Sequence, residues 1–379
     1  MKKHLIALQF IILFSSCTFR QEGRTTIESQ SNIKYAKGFS IEINEHYKKL
    51  TILNPWNNFK PYATYSILED STIPPNSNSE GLNFYFNKTP QTIALHTAAQ
   101  ATALKVLKLE NQVIGITDPR FFYDTSYLFR LNSGEIIQTS NQVQINKERL
   151  IVLKPDIVIT SGWNTINSDY QQLIKLKIPP LFMIEWMETN PLGRAEWIKV
   201  IGFLFDKERE ADSLFNLVEA NYLRIRNENK NRKDKPKILH GEEYSGVWYV
   251  AGGQSYIANI YRDAGAEYLW DSNQETGSLT VDVEVVLKKG AKADFWITTF
   301  SQNINDIEHI KQSKYQLIRA VKESAVYSNT NRTRLLGGND FWETGNLRPD
   351  LILKDIVRII NEKKVPDDSL NFYKRLDLK

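Results

Sequence analysis

The chain has 379 residues, of which 41% are hydrophobic and 24% are charged, so it has the composition of a folded globular protein and is long enough for two lobes with separate cores. Its formal net charge is +4, and two of the positive charges, Lys2 and Lys3, lie in an N-terminal segment that we expect to be removed. The remaining charge is too small for a nucleic-acid-binding protein, and no basic stripe stands out along the sequence.

The N-terminus has the features of an export signal. Lys2 and Lys3 precede the apolar run Leu5–Phe14, which is too short to span a bilayer. Cys17, the only cysteine of the chain, follows two serines. This ending resembles a bacterial lipobox, in which the cysteine is acylated and becomes the new N-terminus. We therefore predict a lipoprotein signal peptide over 1–17, lipidation at Cys17 and a durable membrane anchor. The alternative is an ordinary signal peptide with an incidental cysteine.

Residues 18–81 are predicted to form a tether and a small β meander. Thr18–Lys37 is polar and shows no periodicity, which is typical of a flexible connection. Strand-like patterns follow over Gly38–Asp70, with turn residues between them. A loop rich in proline, serine and asparagine ends the segment.

The segment 82–205 alternates short apolar strands with helices. These strands lack the alternation of polar and apolar residues, which is typical of parallel strands covered on both faces. The pattern therefore predicts an α/β lobe. Its predicted strands are 92–95, 113–116, 157–160 and 181–184, and its predicted helices are 98–108, 148–153 and 171–177.

Asp206–Lys230 has the pattern of one long amphipathic helix. Asp206 is a suitable N-cap residue, and basic residues collect near the C-terminal end. At about 1.5 Å per residue the helix would be roughly 35 Å long. We predict that 206–232 connects two lobes. The apolar residues that recur at spacings of three and four are Ala211, Leu214, Phe215, Val218, Tyr222 and Ile225.

The segment 233–379 repeats the alternation of strands and helices and predicts a second α/β lobe. Gly241–Trp248 and Gly337–Gly345 are predicted to be loops, and Gly265 is suited to end a helix. The predicted strands are 237–240, 293–297 and 325–327, and the predicted helices are 255–264, 282–287 and 351–360.

Four segments, in this order, resemble the ABC-transporter substrate-binding proteins for iron–siderophore, haem and cobalamin. Asn54-Pro55-Trp56 in the predicted meander is similar to Bacteroidetes-type members. The resemblance implies two α/β lobes joined by one backbone helix, with little hinge motion and with the ligand clamped between the lobes. The four segments are ERLIVLKPDIVI (148–159), GGQSYIANIYRDAGA (252–266), VEVVLKKGAKADFWI (283–297) and RPDLILKDI (348–356).

The resemblance also implies a function and partners. A lipid-anchored monomer on the periplasmic side of the cell envelope would capture a metal chelate or a corrinoid and deliver it to an inner-membrane permease and its ATPase. The chelate would be the transported ligand rather than a cofactor. In such proteins one carboxylate on each lobe docks onto the permease, and Asp169 and Asp263 are the candidates here.

The ligand site is predicted from the strand ends. Loops at the carboxyl ends of strands form the binding crevice of an open α/β sheet. A crevice lined by aromatic residues with a few polar groups suits a bulky chelate or macrocycle. The residues predicted to bind the ligand are His96, Arg120, Tyr123, Trp163, Glu243, Tyr244, Trp248, Phe300, Asp340 and Trp342.

Two other functions were compared with this one. An envelope enzyme, either a hydrolase or a metal-dependent lyase, would need catalytic residues, but the chain lacks a GxSxG elbow, a zinc-type histidine pair and a Walker loop. Direct capture of bare zinc or manganese would need converging ligands. His96, His240, Glu243 and Asp340 are of the right type, but their spacing shows no HxxxH motif. The sequence therefore favours a binding protein with no catalytic residues and no metal site of its own.

Overall fold

The computed structural model describes residues 33–69, 80–141, 144–299, 304–311, 313–335, 337–362 and 365–378. The predicted signal peptide and the lipidation site Cys17 lie outside these residues, as does Phe300. Among the described residues, no helix is both long and apolar enough to cross a membrane.

A four-stranded sheet precedes the first lobe, in the order β1-β2-β3-β4. The first three strands are antiparallel neighbours, as in a meander, but β4 runs parallel to β3. Because β4 belongs to this sheet, the sheet extends beyond residue 81, into the range predicted for the first lobe. The strands are β1 (Phe39–Ile43), β2 (Tyr47–Asn54), β3 (Lys60–Leu68) and β4 (Leu82–Phe86).

The first lobe is built on a five-stranded parallel sheet, which confirms the predicted α/β class. Its strands are β5 (Ile93–Leu95), β6 (Val113–Ile116), β7 (Ile137–Gln138), β8 (Ile157–Ser161) and β9 (Pro180–Met183), in the order β7-β6-β5-β8-β9. Its helices are α1 (Ala101–Val106), α2 (Ser126–Asn132), α3 (Lys147–Leu153), α4 (Ser168–Lys175), α5 (Pro191–Glu196) and α6 (Ile198–Leu204), and its 3-10 turns are Ala98–Gln100, Glu110–Gln112, Pro119–Phe121 and Glu185–Met187.

The long helix α7 (Glu208–Asn229) follows and buries the predicted apolar stripe, except that Leu214 is only partly buried. Asp206 is not its N-cap. This residue has a left-handed backbone (φ 53°), and its carboxylate accepts hydrogen bonds from Lys48 Nζ at 2.8 Å and from the Thr89 hydroxyl. Lys207 occupies the N-cap position and makes no side-chain capping bond. The acidic residue therefore ties the connecting helix to the N-terminal sheet instead of capping the helix.

The second lobe repeats the architecture of the first. Its main sheet has the order β13-β10-β15-β16-β19, in which the short last strand is antiparallel. The strands are β10 (Lys237–His240), β11 (Glu242–Tyr244), β12 (Val247–Ala251), β13 (Glu267–Tyr268), β14 (Ser278–Asp282), β15 (Phe295–Thr298), β16 (Val326–Ser328), β17 (Thr333–Arg334), β18 (Gly337–Asn339) and β19 (Lys374–Arg375). The helices are α8 (Tyr256–Asp263), α9 (Val283–Gly290), α10 (Ile304–Lys311), α11 (Arg319–Lys322), α12 (Asp340–Leu347) and α13 (Pro349–Asn361), with 3-10 turns at Ser313–Leu317 and Asp367–Ser369.

The predicted loop at Gly241–Trp248 is wrong, because β11 and β12 in this segment form a small antiparallel sheet with β14. The turn into this sheet requires glycine. Gly241 has a φ of 95°, and a Cβ placed on it would lie 1.8 Å from the carbonyl oxygen of Tyr249. The predicted loop at Gly337–Gly345 is wrong as well, because β18 and most of α12 occupy it. One continuous hydrophobic core joins the N-terminal sheet, both lobes and α7.

Candidate functional site

Two adjoining cavities lie where the loops of the two lobes face each other, and together they are called the cleft. The first cavity, of about 630 Å³, is lined by loops after the strands of the first lobe and by residues 333–342 of the second. The second cavity, of about 500 Å³, is lined by loops after the strands of the second lobe and by residues 186–194 of the first. Trp342 lines both cavities. The carboxyl ends of the strands therefore form a crevice, as the fold requires.

A histidine follows the equivalent strand of each lobe. His96 follows β5 and lines the first cavity, and His240 ends β10 and lines the second. The His96 ring contacts the hydroxyls of Tyr170 at 3.3 Å and Thr139 at 2.9 Å, while His240 Nδ1 lies 2.8 Å from the Tyr261 hydroxyl. Burial lowers the pKa of each histidine to about 4. Both rings are therefore neutral at pH 7.

Trp163 and Trp342 are the most exposed tryptophans in the cleft, at 59% and 51%. The Trp163 ring packs on Trp186 at 4.8 Å, and Trp186 packs on Trp56 of the N-terminal sheet at 5.8 Å. The Tyr62 hydroxyl, also from this sheet, donates to the Trp163 carbonyl oxygen at 2.8 Å. The N-terminal sheet thus supports one aromatic wall of the cleft. Sequence reasoning missed this role, because no local pattern relates residues separated by about a hundred positions.

Trp248 does not line the cleft, contrary to expectation. Its side chain is fully buried, with ring centroids 5.2 Å from Trp296 and 6.1 Å from Tyr315. Its β12 strand pairs with β11 and β14, which directs this side chain into the core of the lobe. Two neighbours also lie outside the two cavities: Tyr244 is 71% exposed, and Glu243 forms an ion pair with Lys314 at 2.8 Å.

Arg120, Tyr123 and Asp340 lie beside the cleft in an interlobe contact, which we define as residues 118–124 of the first lobe packed against 332–344 of the second. The Arg120 guanidinium pairs with Asp118 at 2.6 Å, and Asp340 lies 3.0 Å from Arg332 Nη1. Arg332 also lies over the Tyr123 ring, at 5.4 Å. None of the three predicted residues lines a cavity.

The backbones of the two lobes approach closely at this contact. A Cβ on Gly338 would lie 2.3 Å from the Phe122 carbonyl oxygen, so that no other residue fits there. The same carbonyl accepts a hydrogen bond from Arg334 Nη1 at 2.8 Å. A further contact between the lobes joins α1 and α12, where the hydroxyls of Thr102 and Thr344 are 3.1 Å apart. These contacts join the lobes along one side of the cleft.

Glu343 is a buried carboxylate within this interlobe contact. Its buried carboxylate accepts the backbone N–H groups of Tyr123 and Asp124, yet burial outweighs these bonds and raises its pKa from 4.5 to about 7. Because the folded pKa lies above the unfolded value, the folded state keeps a proton that the unfolded state releases between these pH values. The titration of Glu343 should therefore lower the free energy of unfolding progressively as the pH rises from about 4.5 to 7.

Glu343→Gln, which cannot titrate, is expected to flatten this part of the pH dependence. Urea unfolding of both proteins at pH 5, 6 and 8 would measure the effect. The difference between variant and wild type should shift in favour of the variant as the pH rises. A difference that stays constant over this range would show that Glu343 does not titrate there. Glu135→Gln, at an exposed carboxylate paired with Arg130, is the matched control.

The two carboxylates predicted to dock onto a permease both have partners within the chain. Asp169 lies 3.2 Å from Lys147 Nζ, and Asp263 accepts a hydrogen bond from the Tyr222 hydroxyl on α7 at 2.7 Å. Their docking role stays a prediction. No group of three or more histidine, cysteine, aspartate or glutamate residues is arranged to hold a metal ion in the described part of the chain.

Comparisons with known proteins identify what the chain is similar to. Residues 93–333 match the family model described as periplasmic binding protein. An uncharacterized lipoprotein of Methanocaldococcus jannaschii is 23% identical over 370 residues, which cover 91% of this chain and 86% of that protein.

Two solved structures show the same fold. A possible iron-binding, periplasmic solute-binding protein of Staphylococcus epidermidis aligns with a TM-score of 0.57 and 21% identity, over 73% of this chain and 100% of that one. The periplasmic vitamin B12 binding protein of Vibrio cholerae aligns with a TM-score of 0.53 and 10% identity, over 73% of this chain and 98% of that one. The predicted fold, with two α/β lobes and one long helix, is confirmed.

Proposed function

Because this chain belongs to the periplasmic binding protein family, we propose that it captures a metal chelate or a corrinoid in the cleft and delivers it to the permease of an ABC importer. The family is one of binding proteins rather than enzymes. The observation that carries the proposal is the cleft itself, where each lobe contributes an exposed tryptophan, Trp163 and Trp342, to one cavity. Flat aromatic side chains in a crevice suit a bulky chelate or macrocycle.

The names of the structural neighbours support the ligand class. One neighbour is described as possibly iron-binding and another as a vitamin B12 binding protein. An iron–siderophore complex, haem and a cobalamin-type corrinoid are therefore the ligands to test. The absorption spectrum of protein purified from its native host distinguishes them, because haem, corrinoids and ferric chelates absorb at different wavelengths.

Trp163→Ala and Trp342→Ala are each expected to weaken ligand binding by about 2 kcal/mol, roughly thirtyfold in affinity. An aromatic side chain that becomes buried against a ligand commonly contributes that much binding energy. Titration followed by tryptophan fluorescence measures the affinity. Phe129→Ala, at an aromatic residue that is exposed on α2 and does not line the cleft, is the control and should bind normally. Unchanged affinity in both tryptophan variants would contradict the proposed site, and turnover of the ligand would favour an enzyme.

The proposal includes a lipid anchor on the periplasmic side of the cell envelope. The lipobox-like N-terminus supports it, as does the lipoprotein description of the Methanocaldococcus jannaschii relative. Cys17→Ser is expected to abolish lipidation and to release or mislocalise the protein, because the cysteine sulfur is the atom to which the lipid is attached. Metabolic labelling with palmitate and membrane fractionation measure both effects. A variant that stays labelled in the membrane fraction would contradict the anchor.

A further inference from the structure

The first cavity has no charged side chain among its described lining residues. Its polar groups are hydroxyls, amides and the ring of His96, which is neutral at pH 7 because burial lowers its pKa to about 4. Its apolar lining includes the rings of Phe121, Trp163, Phe182 and Trp342. The hydroxyl and amide residues that line it include Ser140, Asn141, Gln144, Thr165, Asn167 and Asn339.

The described chain next to this cavity adds no free positive charge. Three cations of the described residues nearby are paired with carboxylates: Arg120 with Asp118 at 2.6 Å, Arg332 with Asp340 at 3.0 Å and Lys147 with Asp169 at 3.2 Å. A fourth, Arg334, donates instead to the Phe122 carbonyl oxygen of the interlobe contact at 2.8 Å.

The second cavity has two carboxylates, Glu188 and Glu242, and one guanidinium, Arg194, among its described lining residues. Arg194 has contacts within the protein, although its buried Nε has no hydrogen-bond partner among the described residues. It lies over the Tyr256 ring at 3.7 Å and donates to the Trp186 carbonyl oxygen at 2.8 Å. Glu185 and Glu188 also stabilise its charge, although burial lowers its pKa. The described lining of this cavity therefore has no positive excess.

We propose that the ligand carries no net negative charge, so that among ferric chelates the cleft takes neutral or monocationic complexes, such as trihydroxamates, and excludes tricatecholates. This inference rests on the proposed function. A ferric complex of three hydroxamates is neutral, because the three ligand charges balance the Fe³⁺ ion, and its oxygens accept hydrogen bonds from hydroxyl and amide groups. A ferric complex of three catecholates has a charge of −3. Moving a trianion from water into a site without free cations is costly, because nothing replaces its hydration.

The inference is tested with a panel of defined ligands on the full mature chain. A neutral ferric trihydroxamate, cyanocobalamin, haemin and a ferric tricatecholate are each titrated at one ionic strength. We expect the trihydroxamate or cyanocobalamin to bind at least about a hundredfold more tightly than the tricatecholate. Tightest binding of the tricatecholate, or of haemin, whose two propionates give it a net negative charge, would overturn the inference but leave the proposed function intact. Failure of every ligand to bind would contradict the proposed function itself, and the inference with it.

A charge-gain variant tests the physical cause directly. Thr165 is exposed and lines the first cavity, so Thr165→Lys places one cation at the ligand without filling the core. We expect it to tighten binding of the tricatecholate at least about tenfold and to change the affinity for the preferred neutral ligand less than about threefold. Val152→Lys adds the same charge at an exposed position that lines neither cavity, and should change neither affinity. Equal behaviour of the two lysine variants would overturn the electrostatic explanation.

Discussion

Trp248→Ala is expected to lower the free energy of unfolding by about 3–5 kcal/mol, which is the usual cost of truncating a tryptophan in a core. The side chain is fully buried against Trp296 and Tyr315, and its Nε1 points to the His240 carbonyl oxygen at 3.4 Å. Truncation would leave a cavity, because β12 is held between β11 and β14 and cannot move to fill it. Urea unfolding followed by circular dichroism measures the change.

Trp342→Ala is the matched comparison, because it removes the same side chain from an exposed position in the cleft. Its loss of stability should be below about 1 kcal/mol, since surface substitutions seldom cost more. The two variants therefore separate a tryptophan that maintains the fold from one that is available to a ligand. Equal losses of stability in the two variants would show that burial does not distinguish the two tryptophans, and that outcome would reject the prediction.

The parts of the fold that local patterns encode were predictable. β8 and β15 are continuous apolar runs, and α7 carries an apolar stripe at helical spacing, so the sequence alone indicates a buried strand or an amphipathic helix. The parallel pairing of β4 with β3 was not predictable, because nothing within either strand specifies its partner. Likewise Asp206 fits an N-cap pattern, but a tertiary ion pair with Lys48 directs its carboxylate elsewhere.

In the candidate site, too, features encoded by local sequence were predictable and features that depend on long-range contacts were not. His96 and Trp163 follow strand ends, so the strand-end rule alone places both at the cleft, and both line its first cavity. Trp248 also lies near a strand end, but it belongs to the β11–β12 hairpin, and pairing of β12 with β14, some thirty residues away, completes the small sheet that directs it into the core. Tyr62 and Trp186 support Trp163 across long sequence separations, and only the folded arrangement reveals them.

Glu196→Ala is expected to lower the free energy of unfolding by about 3–5 kcal/mol, as is typical when one partner of a buried ion pair is removed. The Glu196 side chain is fully buried at the end of α5 and lies 2.9 Å from Lys199 Nζ. It also accepts the backbone N–H groups of Lys34, Tyr35 and Ala36 at 2.7–2.9 Å. One carboxylate therefore holds the start of the described chain against the first lobe.

In Glu196→Ala the whole protein should unfold more easily, whereas protection of backbone amides from hydrogen exchange should be lost first at the N-terminal end of the described chain. Without Glu196, three backbone N–H groups lose their acceptor and the closest carboxylate to Lys199 is gone. Hydrogen exchange should therefore accelerate first at residues 34–36. Asp212→Ala is the matched control, because Asp212 lies 3.4 Å from the same lysine but is 40% exposed, and its removal should cost less than about 1 kcal/mol. If the two variants unfolded at the same urea concentration, the buried carboxylate would not be the anchor of this segment. If exchange at residues 34–36 stayed slow in Glu196→Ala, other contacts would hold the segment, such as the bond from the Tyr35 hydroxyl to Glu219 at 2.7 Å.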